Sequence, residues 1–177
     1  MRSIETKANN MANSPSIFVT DSTIWIDAYR GGVITQVFDL PFQFITPDFI
    51  YEELKHSACP DLLSLGLVKR ELSPELVSEV FETVQKYPRI AMIDISGLVL
   101  ARHLEIPLLS GNDDLRKAAG TEAIKPHGTL FLLDKMVEHR VIPPPDAAQA
   151  LNRMLACRGR MPEKESKKRL DAWGKPG

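Results

Sequence analysis

The chain has 177 residues, of which 44% are hydrophobic and 25% are charged, and its formal net charge at pH 7 is −1. These values are ordinary for one globular domain that is long enough to bury a substantial core. They exclude an overall basic field of the kind that attracts nucleic acid. Such a ligand would have to be bound by a local patch or through metal ions held by acidic groups.

The cysteine content and the hydropathy pattern point to a reducing compartment. Cys59 and Cys157 lie far apart and form no C-x-x-C pair, which argues against a zinc site or a disulfide framework. No segment approaches the ~18 apolar residues of a transmembrane helix. Residues 1–16 are polar, without the apolar stretch of a signal peptide, and are predicted to form a disordered leader. We therefore expect a cytoplasmic protein with no membrane segment.

The hydrophobic periodicity and the turn residues predict strands that alternate with helices along the chain. Extended or apolar runs are predicted at Ile17–Thr20, Phe42–Ile45, Leu65–Leu72, Ile106–Ser110 and Ala123–Lys125. Helices are predicted at Ile24–Arg30, Val33–Asp39, Thr46–His56, Ser73–Gln85, Ile93–Glu105, Asp113–Ala119, Gly128–His139, Asp146–Cys157 and Glu163–Trp173. The helix at Thr46 is expected to use that threonine as its N-cap and Pro47 as its first residue.

This alternation is typical of βαβ units and of a parallel sheet that is covered on both faces. The fold class is therefore predicted to be α/β, a three-layer α/β/α sandwich with a parallel central sheet. We expect one main domain over residues 17–142. The remaining residues, 143–177, are expected to form a helical C-terminal extension packed on that domain.

Acidic side chains follow two of the predicted strands at the points where they end. Asp21 comes directly after the first strand, and Asn112, Asp113 and Asp114 follow the strand that ends at Ser110. In an open parallel sheet, ligands bind outside the carboxyl ends of the strands. These side chains are therefore candidates for one site at that edge.

Two further acids lie on predicted helices. With ~100° per residue, a helical wheel places Glu53 inside the apolar arc that Ile50 and Leu54 define, whereas Glu52 points away from it. A carboxylate on a core-facing stripe is costly unless a cation or donors meet it. Asp94 opens its helix at the edge of a buried stripe and is expected to face the same rim.

Each acid also has a simple structural explanation. Asp21 and Asp94 are suitable helix caps, Glu53 could pair with a buried basic residue, and Asp113 and Asp114 suit the first turn of a helix. The predicted fold nevertheless brings acids from distant segments to one rim. Mutual repulsion makes such a cluster unfavourable without a metal ion.

Four motifs in order, between Ile17 and Glu138, resemble the PIN-domain family and in particular its VapC-like toxin ribonucleases. They are Phe18–Thr23 (FVTDST), Tyr51–Leu54 (YEEL), Ile93–Ala101 (IDISGLVLA) and Leu108–Arg116 (LLSGNDDLR). No single motif is specific to this family, but all four motifs in this order, on the expected strands and helices, are reasonably specific to it. One departure is Asn112, which stands where the family usually has Asp. The asparagine keeps a carbonyl oxygen for a metal ion or its water but loses a charge, and Asp113 or Asp114 would compensate through water.

The resemblance implies hydrolysis of RNA phosphodiester bonds with Mg²⁺ or Mn²⁺. Asp21, Glu53 and Asp94 would hold one or two ions, with Asn112 and Asp114 completing the set of metal ligands. Ser110 and Ser22 match positions whose hydroxyls orient the water or a ligating carboxylate. A toxin-type protein of this family also implies a small antitoxin partner and, often, a homodimer.

Several alternatives remain open at this level. The leading one is a PIN-like interaction module that Asn112 has made catalytically inert. A haloacid dehalogenase-like phosphohydrolase is less favoured because no second Asp follows Asp21 in an Asp-x-Asp motif, and a Rossmann protein is less favoured because the first turn is not glycine-rich. Arg102, Arg116 and Lys117 are expected near the rim, either as phosphate contacts or as solvated helix faces.

Overall fold

The structure is a computed structural model that describes residues 15–158 and 161–174, with the side chain of Arg158 left out. The predicted leader lies outside the described residues except for Pro15 and Ser16. Ser16 already belongs to the first strand.

Five parallel strands form one sheet in the order β3-β2-β1-β4-β5. Their bounds are β1 Ser16–Thr20, β2 Phe42–Pro47, β3 Val68–Arg70, β4 Leu108–Leu109 and β5 Pro126–His127. In the centre of the sheet, Val19 pairs with Ile45 on one side and Leu108 on the other. This register aligns the carboxyl ends of β1, β2 and β4 along one edge.

The helices connect the strands and cover both faces of the sheet. Their bounds are α1 Ser22–Gly31, α2 Asp48–Lys55, α3 Leu62–Leu65, α4 Pro74–Lys86, α5 Met92–Leu104, α6 Asp113–Thr121, α7 Thr129–Glu138, α8 Pro144–Arg158 and α9 Glu163–Trp173, with a 3₁₀ helix at Gln36–Asp39. Among the described residues, none of these helices combines the length and the hydropathy needed to cross a bilayer.

Successive strand residues point to opposite faces and so build two separate cores. Phe18 and Phe44 pack into the core formed with α1, α7 and α8. Val19 and Ile45 pack into the core formed with α4, α5 and α6. The predicted α/β class and its three-layer α/β/α arrangement with a parallel central sheet are confirmed.

Some predicted boundaries differ from the observed ones because pairing with neighbours decides where a strand ends. Thr46 and Pro47 belong to β2 rather than to a helix start, and the Thr46 hydroxyl donates to the backbone oxygen of Thr20 over 3.1 Å. Helix α2 therefore begins at Asp48. Ser73, in contrast, caps α4 as predicted, with its Oγ accepting from the backbone N–H of Leu76.

Three apolar stretches form shorter elements than expected. The run Leu65–Leu72 contributes only the three residues of β3, after the one-turn helix α3 and Gly66, whose φ is 120°. The stretch Val33–Asp39 is helical only as the 3₁₀ turn. The last strand lies at Pro126–His127, after the predicted Ala123–Lys125, because Ala123 turns the chain with a φ of 59°.

The two C-terminal helices pack onto the first core. A Cβ atom on Gly31 of α1 would lie 3.4 Å from that of Ala150 on α8, so the two helices approach each other closely. Helix α9 is held by Arg169, which donates to both carboxylate oxygens of Asp134 on α7 over 2.8 and 2.6 Å. Its Trp173 is buried in the same core.

Candidate active site

Asp21 is a fully buried carboxylate that lies between the end of β1 and the start of α1. Its Oδ1 caps α1 by accepting from the backbone N–H of Ile24 over 3.1 Å. The hydroxyl of Thr23 lies 2.7 and 2.6 Å from the two carboxylate oxygens, and the hydroxyl of Ser110 donates to Oδ2. Asp21 is therefore a helix cap, which was the structural role considered for it from the sequence, and it also belongs to a buried hydrogen-bond network.

The pairing of β1 with β4 brings the second part of this network into place. Thr20 pairs with Leu109, so the residues that follow each strand lie side by side. The backbone N–H of Gly111 donates to the hydroxyl oxygen of Thr23 over 2.8 Å. The backbone N–H of Asn112 donates to Ser110 Oγ over 2.9 Å. The loop after β4 is thus fixed against Asp21.

Asp94 lies in the first turn of α5, is half-buried, and faces this loop as predicted. It does not cap its helix, because the N-cap position is Ala91. Its Oδ2 accepts a hydrogen bond of 3.2 Å from Nδ2 of Asn112. Burial, and then the negative charges of Asp21 and Glu53, raise the pKa of Asp94 from 3.8 to about 6, although the Asn112 bond opposes the rise.

Burial also raises the pKa of Asp21 above its ordinary value of 3.8. The hydrogen bonds from Ser110, Thr23 and Ile24 oppose this shift because they stabilise the charged form, while the charge of Asp27 adds to it. The site therefore holds two carboxylates that are each costly to ionise in the absence of a cation.

The position expected for Glu53 on the core-facing side of its helix is wrong. Helix α2 buries Ile50 and Leu54, but Glu53 is exposed, as is Glu52. The reason is geometric: the buried face of α2 is narrower than the wheel assumed, because Phe49 is only half-buried and the fully buried residues are Ile50 and Leu54. Glu53 still acts on the site, because its charge contributes to the raised pKa of Asp94.

Asn112 uses its oxygen differently from the sequence interpretation. The Oδ1 atom caps α6 by accepting from the backbone N–H groups of Asp114 and Leu115 over 3.1 and 3.3 Å. These two donors fix which side of the amide is oxygen, so the N–H side faces Asp94. The side chain of Asp114 is exposed, and that of Asp113 pairs with Lys117 over 2.6 Å.

Thr23 is the residue of this network that the sequence interpretation missed. Ser22 was expected to supply the hydroxyl next to Asp21, but it is Thr23 whose hydroxyl lies against both carboxylate oxygens and also accepts from Gly111. The signal was present in the sequence, since a Thr two residues after a cap Asp is within reach of the cap side chain.

The three basic residues expected near the rim separate in the structure. Arg102 lies eight residues after Asp94 on α5, about 12 Å along the helix axis. It pairs with Glu79 and Glu122, away from the carboxyl edge, so its expected place at the rim is wrong. Arg116 remains close to the site, because its Nη1 donates to the backbone oxygen of Ser110 over 2.8 Å.

The chemistry of the donor set fits a hard divalent cation. The acidic side chains offer only oxygen, which Mg²⁺ and Mn²⁺ prefer, and a cation would offset the burial and the repulsion that together raise the pKa of Asp94. Over the ranges that the structure describes, no three His, Cys, Asp or Glu side chains stand close enough together to hold one ion. Of the three acids expected to hold the ion, Asp21 is buried, Asp94 is half-buried and Glu53 is exposed.

Comparison with known proteins agrees with this fold. Residues 17–175 match the profile of a family described as a PIN domain (DUF3368). Among solved structures, a PilT N-terminus domain protein from the hyperthermophilic archaeon Sulfolobus solfataricus P2 is similar, with a TM-score of 0.52 and 14% identity over 70% of this chain and 95% of that one. A search of curated proteins gives no match. Since the family profile spans nearly the whole chain, the protein belongs to the PIN-domain family.

Proposed function

We propose that the protein is a divalent-metal-dependent endoribonuclease that hydrolyses RNA phosphodiester bonds, with Mg²⁺ or Mn²⁺ as the cofactor. PIN domains are generally nucleases, which supplies the reaction class. The observation that supports it in this chain is the cluster of Asp21 and Asp94, which the short loop from Ser110 to Asn112 connects at one edge of the sheet. Burial, and then the charges of Asp21 and Glu53, raise the pKa of Asp94 there. Such a cluster is costly for the fold and is typical of a site that works on a ligand.

Asp21, Glu53 and Asp94 are the residues that would hold the metal ion. A divalent ion bound there would polarise the phosphate and lower the pKa of a water molecule, which supplies a nucleophile at neutral pH. Metal binding requires ionised carboxylates. Because the pKa of Asp94 is about 6, we expect metal affinity to weaken as the pH falls below this value.

The remaining residues position these acids. Ser110 and Thr23 hold both oxygens of Asp21, and Asn112 holds Oδ2 of Asp94. Because Ser110 also accepts from the backbone N–H of Asn112, the two acids are connected through one short loop. This rigid support reduces the reorganisation that the acids undergo when substrate binds.

The test is cleavage of a mixed-sequence single-stranded RNA with Mg²⁺, Mn²⁺ or chelator. We expect metal-dependent cutting that Asp94→Asn abolishes, since the amide removes a charged ligand and keeps the side-chain shape. A folded parent chain that cuts nothing with either metal, or an Asp94→Asn variant that cuts like the parent, contradicts the proposal.

Helix α2 offers a matched control for the same assay. Glu52 and Glu53 are neighbouring exposed glutamates, but Glu52 pairs with Lys55 over 2.9 Å whereas Glu53 acts on Asp94. Glu53→Gln should lower cleavage by at least about ten-fold, and Glu52→Gln should leave it within about two-fold. Equal losses in both variants would assign the effect to the surface charge of α2 instead of to the site.

An inert PIN-like interaction module is the second candidate, and the position of Asn112 favours it. Its oxygen is committed to capping α6, and its amide hydrogen occupies Oδ2 of Asp94. Titration with Mn²⁺ separates the two candidates, because an inert module needs no metal affinity. If the parent chain binds Mn²⁺ and the Asp94→Asn variant does not, the result supports the nuclease. If the parent chain binds no Mn²⁺ up to millimolar concentration, the result supports the interaction module.

A toxin role, with an antitoxin partner and a homodimer, is the finer proposal that the VapC-like motifs suggest. Induced expression should then arrest growth of a bacterial host, and the Asp94→Asn variant should not. Light scattering of the purified chain tests the dimer. Unimpaired growth with active enzyme would leave the ribonuclease without its toxin role.

A further inference from the structure

Next to the candidate active site, a cavity of about 570 Å³ opens between the start of α6 and the segment before α9. On one side the lining includes Arg116 together with Asn112, Asp113 and Asp114, and on the other side it consists of Met161 and Pro162. A second cavity of about 180 Å³ shares Arg116, Met161 and Pro162 and continues to the start of α7. Together they form one groove that starts at the residue bonded to Asp94 and passes over Arg116.

Arg116 is the basic residue on which this groove is built. Its Nη1 donates to the backbone oxygen of Ser110 over 2.8 Å, at the end of β4, and its side chain is only 19% exposed. A Cβ atom on Gly128 would approach Nη1 to 3.4 Å, so the glycine leaves room for the guanidinium. The cation is therefore held at a fixed place in the wall.

Fixed placement distinguishes Arg116 from its neighbour Lys117. Both pair with Asp113, over 3.2 and 2.6 Å, and both belong to α6. The side chain of Lys117 is 71% exposed and lines a different cavity, beside Tyr87 and Pro88. Arg116 alone of the two combines burial, a backbone anchor and a place in the groove.

We infer that this groove binds the strand of a single-stranded RNA beside the cleaved bond, with Arg116 as its phosphate-binding residue. The guanidinium has five N–H donors in a planar fork that suits a phosphate. Nη1 donates to the backbone oxygen of Ser110, and Nη2 donates to Oδ1 of Asp113 over 3.2 Å. An incoming phosphate would replace exposed Asp113 at Nη2 and leave the anchor to Ser110 in place. This inference rests on the proposed ribonuclease function and names the substrate contact of the same site.

The shape of the groove agrees with one strand rather than a duplex. The two cavities adjoin along Arg116 and Met161, which line both, so they form one continuous path past the guanidinium. A flexible single strand can follow such a groove, whereas an A-form helix presents a wide, shallow minor groove to its partner. The apolar side at Met161 suits the face of an unstacked base, and Arg116 on the opposite side suits a backbone phosphate.

The test measures binding without cleavage, so that its outcome is independent of the nuclease assay. A fluorescein-labelled 12-nucleotide single-stranded RNA of mixed sequence is titrated with full-length protein in chelator, at several salt concentrations. We expect Arg116→Gln to weaken binding about ten-fold and to reduce the salt slope by about 0.7, the value for one lost phosphate contact on a single strand. Lys117→Gln, which removes the same charge one residue away, should change affinity by less than about two-fold.

Equal losses in the Arg116→Gln and Lys117→Gln variants, or no loss in Arg116→Gln, would overturn the inference. Because Arg116→Gln also removes the bond to Ser110, a second pair of variants leaves that bond intact. Exposed Pro162, on the facing side, is changed to Glu and to Lys; we expect weaker and tighter binding respectively. Unchanged binding in both Pro162 variants overturns the groove assignment. RNA binding that depends on Arg116 in a protein that does not cleave would refute the nuclease and retain the groove.

Discussion

Nδ2 of Asn112 donates to Oδ2 of Asp94 over 3.2 Å, so an amide hydrogen is bonded to one of the two oxygens of this half-buried carboxylate. The same asparagine caps α6 through its oxygen. Asn112 therefore holds Asp94 in place with a neutral group where the family usually supplies another negative charge. These contacts determine how the stability and the metal affinity should change when an aspartate replaces Asn112.

Asn112→Asp should keep the cap and lose the donor to Asp94. Two carboxylates would then face each other at about 3 Å, which raises the pKa of one of them and destabilises the metal-free chain by on the order of 2 kcal/mol. We expect a lower melting temperature in chelator and a larger rise on adding Mg²⁺ than the parent shows. Asn112→Ser, which can still cap α6 without adding charge, is the control; a Mg²⁺ response equal to that of the parent in Asn112→Asp contradicts this account.

Asp94 should make the fold less stable as the pH rises toward neutrality. Its pKa is about 6 in the folded chain against an ordinary 3.8, so the folded state binds the proton more tightly than the unfolded state. Between about pH 4 and pH 6 the unfolded chain ionises first, and the free energy of unfolding falls. Above about pH 6 the penalty is complete, at about 1 to 3 kcal/mol once partial solvent exposure is allowed for.

Asp94→Asn tests this pH dependence directly. Urea unfolding in chelator from pH 4.5 to 7.5 should show the variant gaining stability over the parent as the pH rises, with little difference at the acid end. Mg²⁺ should stabilise the parent near neutral pH and leave the variant almost unchanged. A variant that is less stable than the parent at pH 7 would show that Asp94 is held by favourable contacts stronger than its desolvation.

Thr23→Val should disturb the candidate site through Asp21. The valine has the same shape but removes the hydroxyl that contacts both carboxylate oxygens and accepts from the backbone N–H of Gly111. Losing these bonds in a half-buried position should cost about 1 to 3 kcal/mol at pH 7 and raise the pKa of Asp21 further. Thr23→Ser, which retains the hydroxyl, should recover most of the stability in the same urea titration. A Thr23→Val variant as stable as the parent, or a Thr23→Ser variant that loses as much stability as Thr23→Val, would contradict the role given to the hydroxyl.

The three layers of the fold could be predicted from the sequence because a sheet that is buried on both faces needs strands made of consecutive apolar residues. The sequence was also sufficient for Asp94, whose place on the edge of a long apolar stripe is a local property of α5. Helix α9 has the predicted bounds Glu163–Trp173. Strand lengths were less predictable: Leu108–Leu109 pairs over two residues although the apolar run is longer, because partners in β1 and β5 decide the ladder.

Glu53 shows why the candidate site was only partly predictable. A helical wheel assigns the apolar face from residue types alone, but only Ile50 and Leu54 of α2 are fully buried, and Glu53 lies outside the narrow face that they define. The orientation of the Asn112 amide was likewise out of reach, since it depends on where the first N–H groups of α6 point. Both features follow from how neighbouring elements are arranged in space, which a single sequence does not specify.

Thr129 connects the start of α7 to the first core and thereby positions the far end of the groove. Its hydroxyl donates to Oδ2 of Asp27 on α1 over 2.7 Å, and both residues are buried. Thr129→Val should cost about 1 to 3 kcal/mol of unfolding free energy, because a buried carboxylate oxygen loses a donor. Since Gly128 packs against Arg116, the variant should also weaken RNA binding by a few-fold. Thr129→Ser, which keeps the donor, should restore both; stability lost with RNA affinity unchanged would separate the groove from this buried bond.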